Sequence, residues 1–307
     1  MTRSFRIGYF VTAMAGGMRD GALGWNDLKT MARLSEEVGL DSFFVPDHMI
    51  FKPENEPPHA PWECWSLLSA LAAVTERVQI GTLVVCVGFR NPALLAKMAV
   101  TVDEISDGRL ILGLGAGWHE PEYEAFGFPF ERRFDRFEEA AYVIRTLLRE
   151  GRIDHDGEFY QLRDCELIPR GPRPDGPPIL IGALQSGKRM LRMTAQFADQ
   201  WNGWLLHGRS HPDELPPMRE AVDTACLKTG RDPATLTRTI GILVDQRPLA
   251  EQGPVGASVP LGGTDEEIAA GIRAFVDGGI SHIHLIPTVQ GPGGIERIAD
   301  LLPLLED

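Results

Sequence analysis

Short apolar runs alternate with one-faced amphipathic stretches along all 307 residues of the chain. The apolar runs predict eight strands, at Phe5–Val11, Asp41–Pro46, Val78–Val87, Arg109–Leu114, Pro178–Gly182, Asp199–Trp204, Thr237–Val244 and His282–Ile286. Mostly apolar strands that alternate with amphipathic helices are typical of a parallel sheet covered by helices. Because the alternation continues without a change in composition, we predict a single α/β domain over residues 1–307, a (β/α)8 or TIM barrel. A doubly wound open sheet is the alternative.

The predicted helices each present one apolar face. The clearest helix extends from Asn91 to Ser106, where Asp107-Gly108 ends it. Its apolar face is predicted to consist of Leu94, Met98, Val102 and Ile105. The last helix repeats this spacing with Ile295, Ile298, Leu302 and Leu305. Such stripes indicate helices that pack one side against the sheet.

Two segments depart from the regular alternation and are predicted to be insertions. After a helix at Phe137–Glu150, residues 155–178 have the pattern of a hairpin followed by a Pro/Gly-rich connection. Residues 246–262 form a loop of the length that usually has a function, and we expect it to cover the active site at the C-terminal face.

Composition restricts the partners and the compartment. The formal net charge of −13 argues against a nucleic-acid or anionic membrane surface, since both require clustered Lys and Arg. The four cysteines form no C-x-x-C pair, which favours free thiols in a reducing compartment. No apolar run approaches the roughly 20 residues of a membrane span. We therefore expect a cytoplasmic protein that acts on a small molecule.

A glycine triplet marks the end of the fourth predicted strand, where a barrel would carry its active site. Gly113, Gly115 and Gly117 are followed too soon by Pro121 for a dinucleotide-binding fingerprint. The glycines either clear side chains from the barrel mouth so that a flat ring can approach the backbone, or form a tight turn.

Two other strand ends carry candidate chemistry. The second predicted strand leads to Asp47 and His48, where histidine can exchange a proton and the carboxylate can fix its tautomer. The alternative is a loop-capping aspartate beside a surface histidine. The third predicted strand has small residues at Gly81 and Thr82 and ends either in a bulge or as a plain buried strand.

A basic helix start follows the fifth predicted strand. The segment Gly182–Gly187 leads into Lys188, Arg189 and Arg192. Backbone N–H groups and local cations at a helix N-terminus make an anion site, unless the basic side chains are merely solvated.

Other reaction types have weaker support. His282 and His284 form a His-x-His pair, and His207 and His211 lie in a polar loop, but the ligands of a metal site are not evident, so we expect no metal. The chain contains no G-x-S-x-G motif and no cysteine at a strand end, which argues against a side-chain nucleophile.

Five stretches in this order resemble the bacterial luciferase-like flavin and deazaflavin oxidoreductases, and the resemblance covers nearly the whole chain. They are "EEVGLDSFFVPDH", "IGTLVVCVGFRNPALLAKMAVTVDEISDGRLILGLGAGWHEPEYEAFGFPF", "GEFYQL", "PPILIGALQSGKRMLRMTAQFADQWN" and "GTDEEIAAGIRAFVDGGISHIHL". The resemblance implies a (β/α)8 barrel that binds coenzyme F420, or alternatively FMN, with the ring in the barrel mouth and the phosphate beyond the fifth strand.

The resemblance also implies roles for particular residues. His48 would transfer a proton beside the ring, with Asp47 orienting it, and Leu83-Val84 would form a bulge that often contains a non-proline cis peptide. The residues expected to bind the cofactor are Thr82, Leu83, Val84, Gly115, Gly117, Trp118, Gly182, Ala183, Gln185, Ser186, Gly187 and Lys188.

Two departures bear on the activity. Trp118 stands where the sugar-phosphate dehydrogenases of the family have a glutamate, and Gly182–Gly187 departs from the usual Gly-Gly-x-Gly phosphate loop. We therefore expect an F420-dependent oxidoreductase that transfers a hydride to or from a small organic substrate. The alternatives are an FMN-dependent monooxygenase and a non-catalytic deazaflavin-binding barrel. A homodimer is typical of the family.

Overall fold

A computed structural model describes residues 3–12, 23–52, 57–184 and 187–306, and in them parallel strands close into a barrel. The barrel strands are β1 (Arg6–Phe10), β2 (Ser42–Val45), β3 (Gln79–Thr82), β4 (Val85–Cys86), β5 (Leu110–Gly115), β8 (Ile179–Gly182), β9 (Gln200–Trp204), β10 (Thr237–Val244) and β11 (His282–Pro287). β1 pairs with β2 and β11, and β3 pairs with β5, so the sheet has no open edge. Because β3 and β4 are two parts of one strand, the described chain forms the predicted (β/α)8 barrel.

Helices connect the strands and cover the outside of the barrel. They are α1 (Trp25–Val38), α2 (Cys64–Val74), α3 (Pro92–Ile105), α4 (Glu120–Phe126), α5 (Arg133–Glu150), α6 (Lys188–Phe197), α7 (Leu215–Lys228), α8 (Asp265–Asp277) and α9 (Pro292–Leu301). In the described residues, none of them is long and apolar enough to cross a membrane.

α3 lies where the sequence predicts it, but only part of its predicted apolar face is buried: Val102 is buried and Met98 packs partly buried against the core. Asn91 caps the helix by accepting hydrogen bonds from the N–H groups of Ala93 and Leu94. Leu94 and Ile105 are 55% and 44% exposed. The buried side instead consists of Leu95, Ala96, Ala99, Val100, Val102 and Asp103. The buried side thus combines small alanines with larger apolar side chains and is turned away from Leu94 and Ile105.

The end of the chain was predicted better. Ile295, Ile298, Leu302 and Leu305 are all buried, although the final turn after α9 is a 3-10 helix at Leu302–Leu305. The predicted hairpin is also present, as the antiparallel strands β6 (Arg152–Asp156) and β7 (Gln161–Glu166).

The third predicted strand, Val78–Val87, is interrupted between β3 and β4. The Leu83–Val84 peptide is cis, as the family resemblance implies. At this interruption the side-chain hydroxyl of Thr82, rather than its backbone, bonds to the neighbouring strand. The hydroxyl accepts a hydrogen bond from the Gly113 N–H at 3.0 Å and donates one to the Gly113 carbonyl at 2.9 Å. The bulge that the sequence offered as one alternative is therefore present.

Two glycines of β5 make room for this interrupted strand. A Cβ at Gly113 would collide with the carbonyl oxygen of Thr82, and one at Gly115 would lie 2.5 Å from Cγ2 of Val84. The need for glycine at these two positions therefore comes from atoms of the chain itself, and contact of Gly115 with a cofactor remains a prediction.

Aromatic side chains occupy the barrel interior. A Cβ at Gly81 would collide with the ring of Phe44, and one at Gly241 would lie 2.6 Å from the ring of Trp204. His282 and His284 are buried in the same interior, with ring centroids 4.3 Å apart. In the described part of the chain, no group of three or more His, Cys, Asp or Glu side chains is arranged to hold a metal ion.

The long loop after β10 lies at the C-terminal end of the barrel. It contains a 3-10 turn at Leu249–Glu251, and its Val259 N–H donates to the Gly208 carbonyl at 2.7 Å. Leu261 N–H donates to the Leu243 carbonyl at 2.9 Å. The loop is thus fastened to the ends of β9 and β10, and its role as a cover remains a prediction.

Candidate functional site

His48 emerges directly after β2, and its closest polar partner comes from α4, the short helix after β5. The Nδ1 atom of His48 lies 3.0 Å from Oε1 of Glu122, and the Met49 N–H donates to Oε2 of Glu122 at 2.8 Å. The Glu122 side chain is 1% exposed and that of His48 is 19% exposed. The site therefore contains a buried carboxylate that hydrogen-bonds to the Nδ1 atom of a partly exposed imidazole.

Glu122 was not among the residues predicted from the sequence. It lies in the first turn of α4, on the stretch that follows the glycine triplet. Acidic residues are common in the first turn of a helix, where they interact favourably with the helix dipole, so this position does not by itself indicate a functional residue. The usable signal is that all barrel strands deliver their C-terminal loops to one rim, so a carboxylate after β5 can meet a histidine after β2, with only β3 between the two strands.

Asp47 does not orient His48, and this expectation is corrected. Its carboxylate receives two hydrogen bonds from the Arg90 guanidinium, at 2.6 and 3.0 Å, and a third from the Cys86 N–H at 3.0 Å. Burial raises the pKa of Asp47, and Arg90 opposes that effect. Arg90 also donates to Glu63 at 2.7 Å. Asp47 therefore fastens the end of β2 to β4, because the bidentate guanidinium uses the oxygens that His48 would need.

An aromatic cluster surrounds His48 and is formed by Phe51, His59, Trp118 and His119. The ring centroid of His48 lies 4.4 Å from that of Phe51 and 5.7 Å from that of Trp118. Phe51 stacks on His59 at 5.4 Å. Trp118 is 57% exposed, and burial is the main cause that lowers the pKa of His119. The cluster gives the site a wall of tilted aromatic and imidazole rings.

A buried tyrosine supports the loop that carries Trp118. The Tyr123 hydroxyl donates to the Ala116 carbonyl at 2.9 Å and lies 2.8 Å from Sγ of Cys86. Gly117 has a φ of +73°, and a Cβ there would collide with the Tyr123 hydroxyl. Burial raises the pKa of Cys86 to about 12, so this thiol stays protonated and is unsuited to be a nucleophile. Gly117 therefore serves the turn that leads to Trp118, and its contact with a cofactor remains a prediction.

The floor of the barrel mouth is apolar. One buried cluster consists of Phe10, Phe44, Leu83, Ile111, Leu180, Leu243 and Ile286. Val84, Trp204 and Leu206 pack on it and remain partly accessible. Leu83 and Val84 therefore belong to the floor, while Thr82 is fully buried.

The expected anion site is only partly preserved. Arg189 is paired with Asp135 and Glu138 of α5, and Arg192 is paired with Glu138 at 2.8 Å. Within the described residues, Lys188 forms no ion pair, and its side chain is exposed at the first turn of α6. The positive charge available to an anion is therefore smaller than the sequence suggests.

The phosphate-loop residues have mixed surroundings. Gly182 is half-buried, and a Cβ there would meet only the Asn202 carbonyl, at 4.0 Å. Ala183 is buried, and its carbonyl accepts from the Trp201 indole at 3.0 Å. Gly187 precedes α6 as its N-cap. The predicted cofactor contacts at Gln185 and Ser186 lie outside the described residues.

These residues fit a flat tricyclic cofactor. In the described residues, a Cβ at Gly182 would meet only a carbonyl oxygen at 4.0 Å, the floor is apolar, and an imidazole and an indole border the mouth. A ring with apolar faces and a polar edge matches these surroundings, since pockets for small molecules combine apolar walls with a few polar groups.

Comparison with known proteins identifies the family. The family described as luciferase-like monooxygenase matches residues 5–252. The pyrimidine monooxygenase RutA of Rhizobium rhizogenes is 32% identical over 277 residues, which cover 76% of this chain and 72% of that protein. RutA of Methylobacterium radiotolerans is 38% identical over 174 residues, which cover 55% of this chain but only 44% of that protein. The chain thus spans less than half of some relatives that it matches.

Solved structures share the fold at low identity. An F420-dependent secondary alcohol dehydrogenase in complex with an F420-acetone adduct is 20% identical with a TM-score of 0.78, over 99% of this chain and 100% of that one. Riboflavin lyase RcaE with modified FMN and riboflavin is 16% identical with a TM-score of 0.81, over 99% of this chain and 91% of that one. With the barrel, the sequence relatives and the family match taken together, the chain belongs to the luciferase-like monooxygenase family of oxidoreductases.

Proposed function

We propose that the protein is an F420-dependent oxidoreductase that transfers a hydride between the deazaflavin and a small organic substrate. The observation that carries the proposal is His48, a partly exposed imidazole at the rim of an apolar barrel mouth, bound on one side by Glu122. Hydride transfer to or from a carbon–oxygen bond requires a proton to move at the oxygen, and histidine performs such transfers near neutral pH.

Different residues of the barrel mouth would contact different parts of the cofactor and the substrate. Leu83 and Val84 would support one face of the ring, and Trp118 would bound the substrate side. Lys188 and the N-terminus of α6 would attract the anionic tail. When bound, F420 supplies the carbon that accepts or donates the hydride.

His48 would hold and move the proton. In the described residues, its Nδ1 is engaged by Glu122, while no hydrogen bond occupies Nε2. Nε2 is therefore the atom that would exchange a proton with the substrate oxygen. The apolar floor excludes water from the reacting groups and strengthens this interaction.

A second candidate is a flavin-dependent monooxygenase. The specific observation in its favour is the identity of 32% to a pyrimidine monooxygenase over 76% of this chain. In that reaction the aromatic cluster would hold a planar substrate against reduced FMN, and the apolar floor would again exclude water.

Equilibrium titration of the purified protein with F420 and with FMN, oxidised and reduced, distinguishes the two. Fluorescence and absorbance changes give the dissociation constant for each cofactor. Tighter binding of F420, together with turnover of an alcohol or carbonyl compound, supports the first candidate. Tighter binding of FMN, with oxygen consumption when reduced flavin is supplied, supports the second. Failure to bind either cofactor rejects both.

A further inference from the structure

We infer that Glu122 is the positioning residue of the site, which fixes both the tautomer and the direction of the His48 ring. The catalytic consequence of this inference rests on the proposed function, whereas the tautomer itself is a property of the protein alone. Asp47 is excluded from this role by its bonds to Arg90 and Cys86.

The hydrogen-bonding capacity of the groups determines the tautomer. An ionised carboxylate only accepts hydrogen bonds, so the Nδ1 atom of His48, 3.0 Å from Oε1 and 3.3 Å from Oε2 of Glu122, must carry the hydrogen. In the neutral imidazole, Nε2 then has a free lone pair. Without Glu122, a histidine in water would distribute its hydrogen between both nitrogens.

The surroundings hold Glu122 in place. The carboxylate is almost completely buried, and its second oxygen accepts from the Met49 N–H at 2.8 Å. Because Met49 follows His48 directly, one carboxylate hydrogen-bonds both to the ring of His48 and to the backbone beside it. Glu122 is also in the first turn of α4, where the helix dipole stabilises a negative charge. A buried charge with these partners keeps a fixed position, since losing them would leave it unpaired.

His119 is the nearest competitor for Glu122, but the geometry favours His48. The ring of His119 packs on Phe51 and Trp118, with centroids 5.3 and 5.1 Å away. Its Nε2 is buried and has no hydrogen-bond partner in the described residues. In the described residues, Glu122 therefore hydrogen-bonds to His48 and not to His119, although its charge opposes the lowering of the His119 pKa by burial.

Nuclear magnetic resonance of the cofactor-free protein tests the tautomer. In protein labelled with 15N in histidine, we expect a His48 signal with the hydrogen on Nδ1 that exchanges slowly with solvent, assigned by its loss in His48→Gln. Glu122→Gln is expected to lose the slow exchange and to shift the population towards the Nε2–H form. A wild-type spectrum with the hydrogen on Nε2 overturns the inference, including in the case that Glu122→Gln fails to fold.

A second histidine–glutamate pair provides a matched control. Nε2 of His155 lies 3.1 Å from Oε1 of Glu139, and the two side chains are 16% and 13% exposed. This pair joins α5 to the hairpin. Glu139→Gln removes the same kind of bond at a distant place, so it is expected to change the His155 signal and leave that of His48 unaltered. A His48 signal that responds equally to both variants overturns the inference, because the effect would then be a general loss of structure.

Turnover adds the catalytic test once a substrate is available. Glu122→Gln is expected to lower kcat by at least about tenfold, the size of effect seen when a partner that orients a functional histidine is removed, with little change in KM. In a His48→Ala background the same change is expected to have no further effect, since the two residues act as a unit. Independent, additive losses overturn the inference. If the protein has the expected tautomer but binds neither F420 nor FMN, the positioning role of Glu122 stands and only the proposed function is rejected.

Discussion

Replacing Asp47 by asparagine tests whether this carboxylate stabilises the fold or takes part in proton transfer. The structure places this carboxylate in a bidentate pair with Arg90, with side chains only 2% and 9% exposed. Asparagine removes the charge but keeps the shape and an oxygen that can accept from the Cys86 N–H. We therefore expect Asp47→Asn to destabilise the fold rather than to change proton transfer.

The magnitude follows from the burial of the pair. Removing one partner of a buried ion pair costs about 3–5 kcal/mol, because the remaining charge is left without compensation. The retained hydrogen bond from Cys86 contributes about 1 kcal/mol, and Glu63 continues to neutralise part of the Arg90 charge at 2.7 Å. The expected loss in the free energy of unfolding is therefore about 2–4 kcal/mol.

Urea denaturation followed by circular dichroism measures this loss. Asp135→Asn is the control, since Asp135 also pairs with arginines but lies on the surface of α5, where ion pairs contribute little. A loss for Asp47→Asn that is no larger than that of the control would refute the reasoning. Unchanged unfolding together with strongly reduced turnover would return Asp47 to the chemical role that its position beside His48 first suggested.

The remaining predictions concern the site and the barrel interior. His48→Ala should lower turnover by roughly 10²–10⁴-fold while the cofactor dissociation constant stays within several-fold, as steady-state kinetics and titration will measure. Burial lowers the pKa of His284 to about 3 from an ordinary 6.5, so only the unfolded chain takes up its proton as the pH falls below 6.5, and stability is lost. The loss from this residue approaches about 2 kcal/mol at pH 5, and unfolding of His284→Leu at pH 7 and pH 5 should show a smaller difference. Gly115→Ala should cost about 1–3 kcal/mol in denaturation, whereas Gly253→Ala, whose Cβ would meet no atom within 4 Å, should be neutral. Lys188→Ala should weaken binding of the anionic cofactor and reduce its salt dependence in titrations at two ionic strengths.

The architecture could be predicted because each of its elements is determined by a short stretch of sequence. Each barrel strand is a short apolar run, and each covering helix repeats one face, so the order of elements is visible in the sequence. The buried face of α3 was less predictable, because alanines can be buried or exposed and only packing decides between them. Leu94 and Val102 look equivalent in the sequence, yet only Val102 is buried.

The site was predictable in position but not in pairing. The rule that barrel active sites lie after the strands located His48 and the loop that carries Trp118. It gave no information on partners, because the partner of His48 is 74 residues away along the chain. Adjacent residues in an extended segment direct their side chains apart, so the neighbour Asp47 was a poor candidate for the carboxylate that binds His48. Arg189 likewise pairs with Glu138 of α5, which is 51 residues away along the chain, and no local pattern indicates this contact.

The glycine triplet illustrates why function and packing are hard to separate in a sequence. Its three glycines lie at a rim where a cofactor is expected, yet the first two accommodate the backbone of Thr82 and the side chain of Val84. Those two residues form or support the floor on which a ring would rest. The glycines therefore serve the mouth indirectly, because they admit the neighbouring strand that shapes it. A substitution at Gly115 would displace Val84 first and change ligand binding only through that displacement, so its effect on binding should follow its effect on stability.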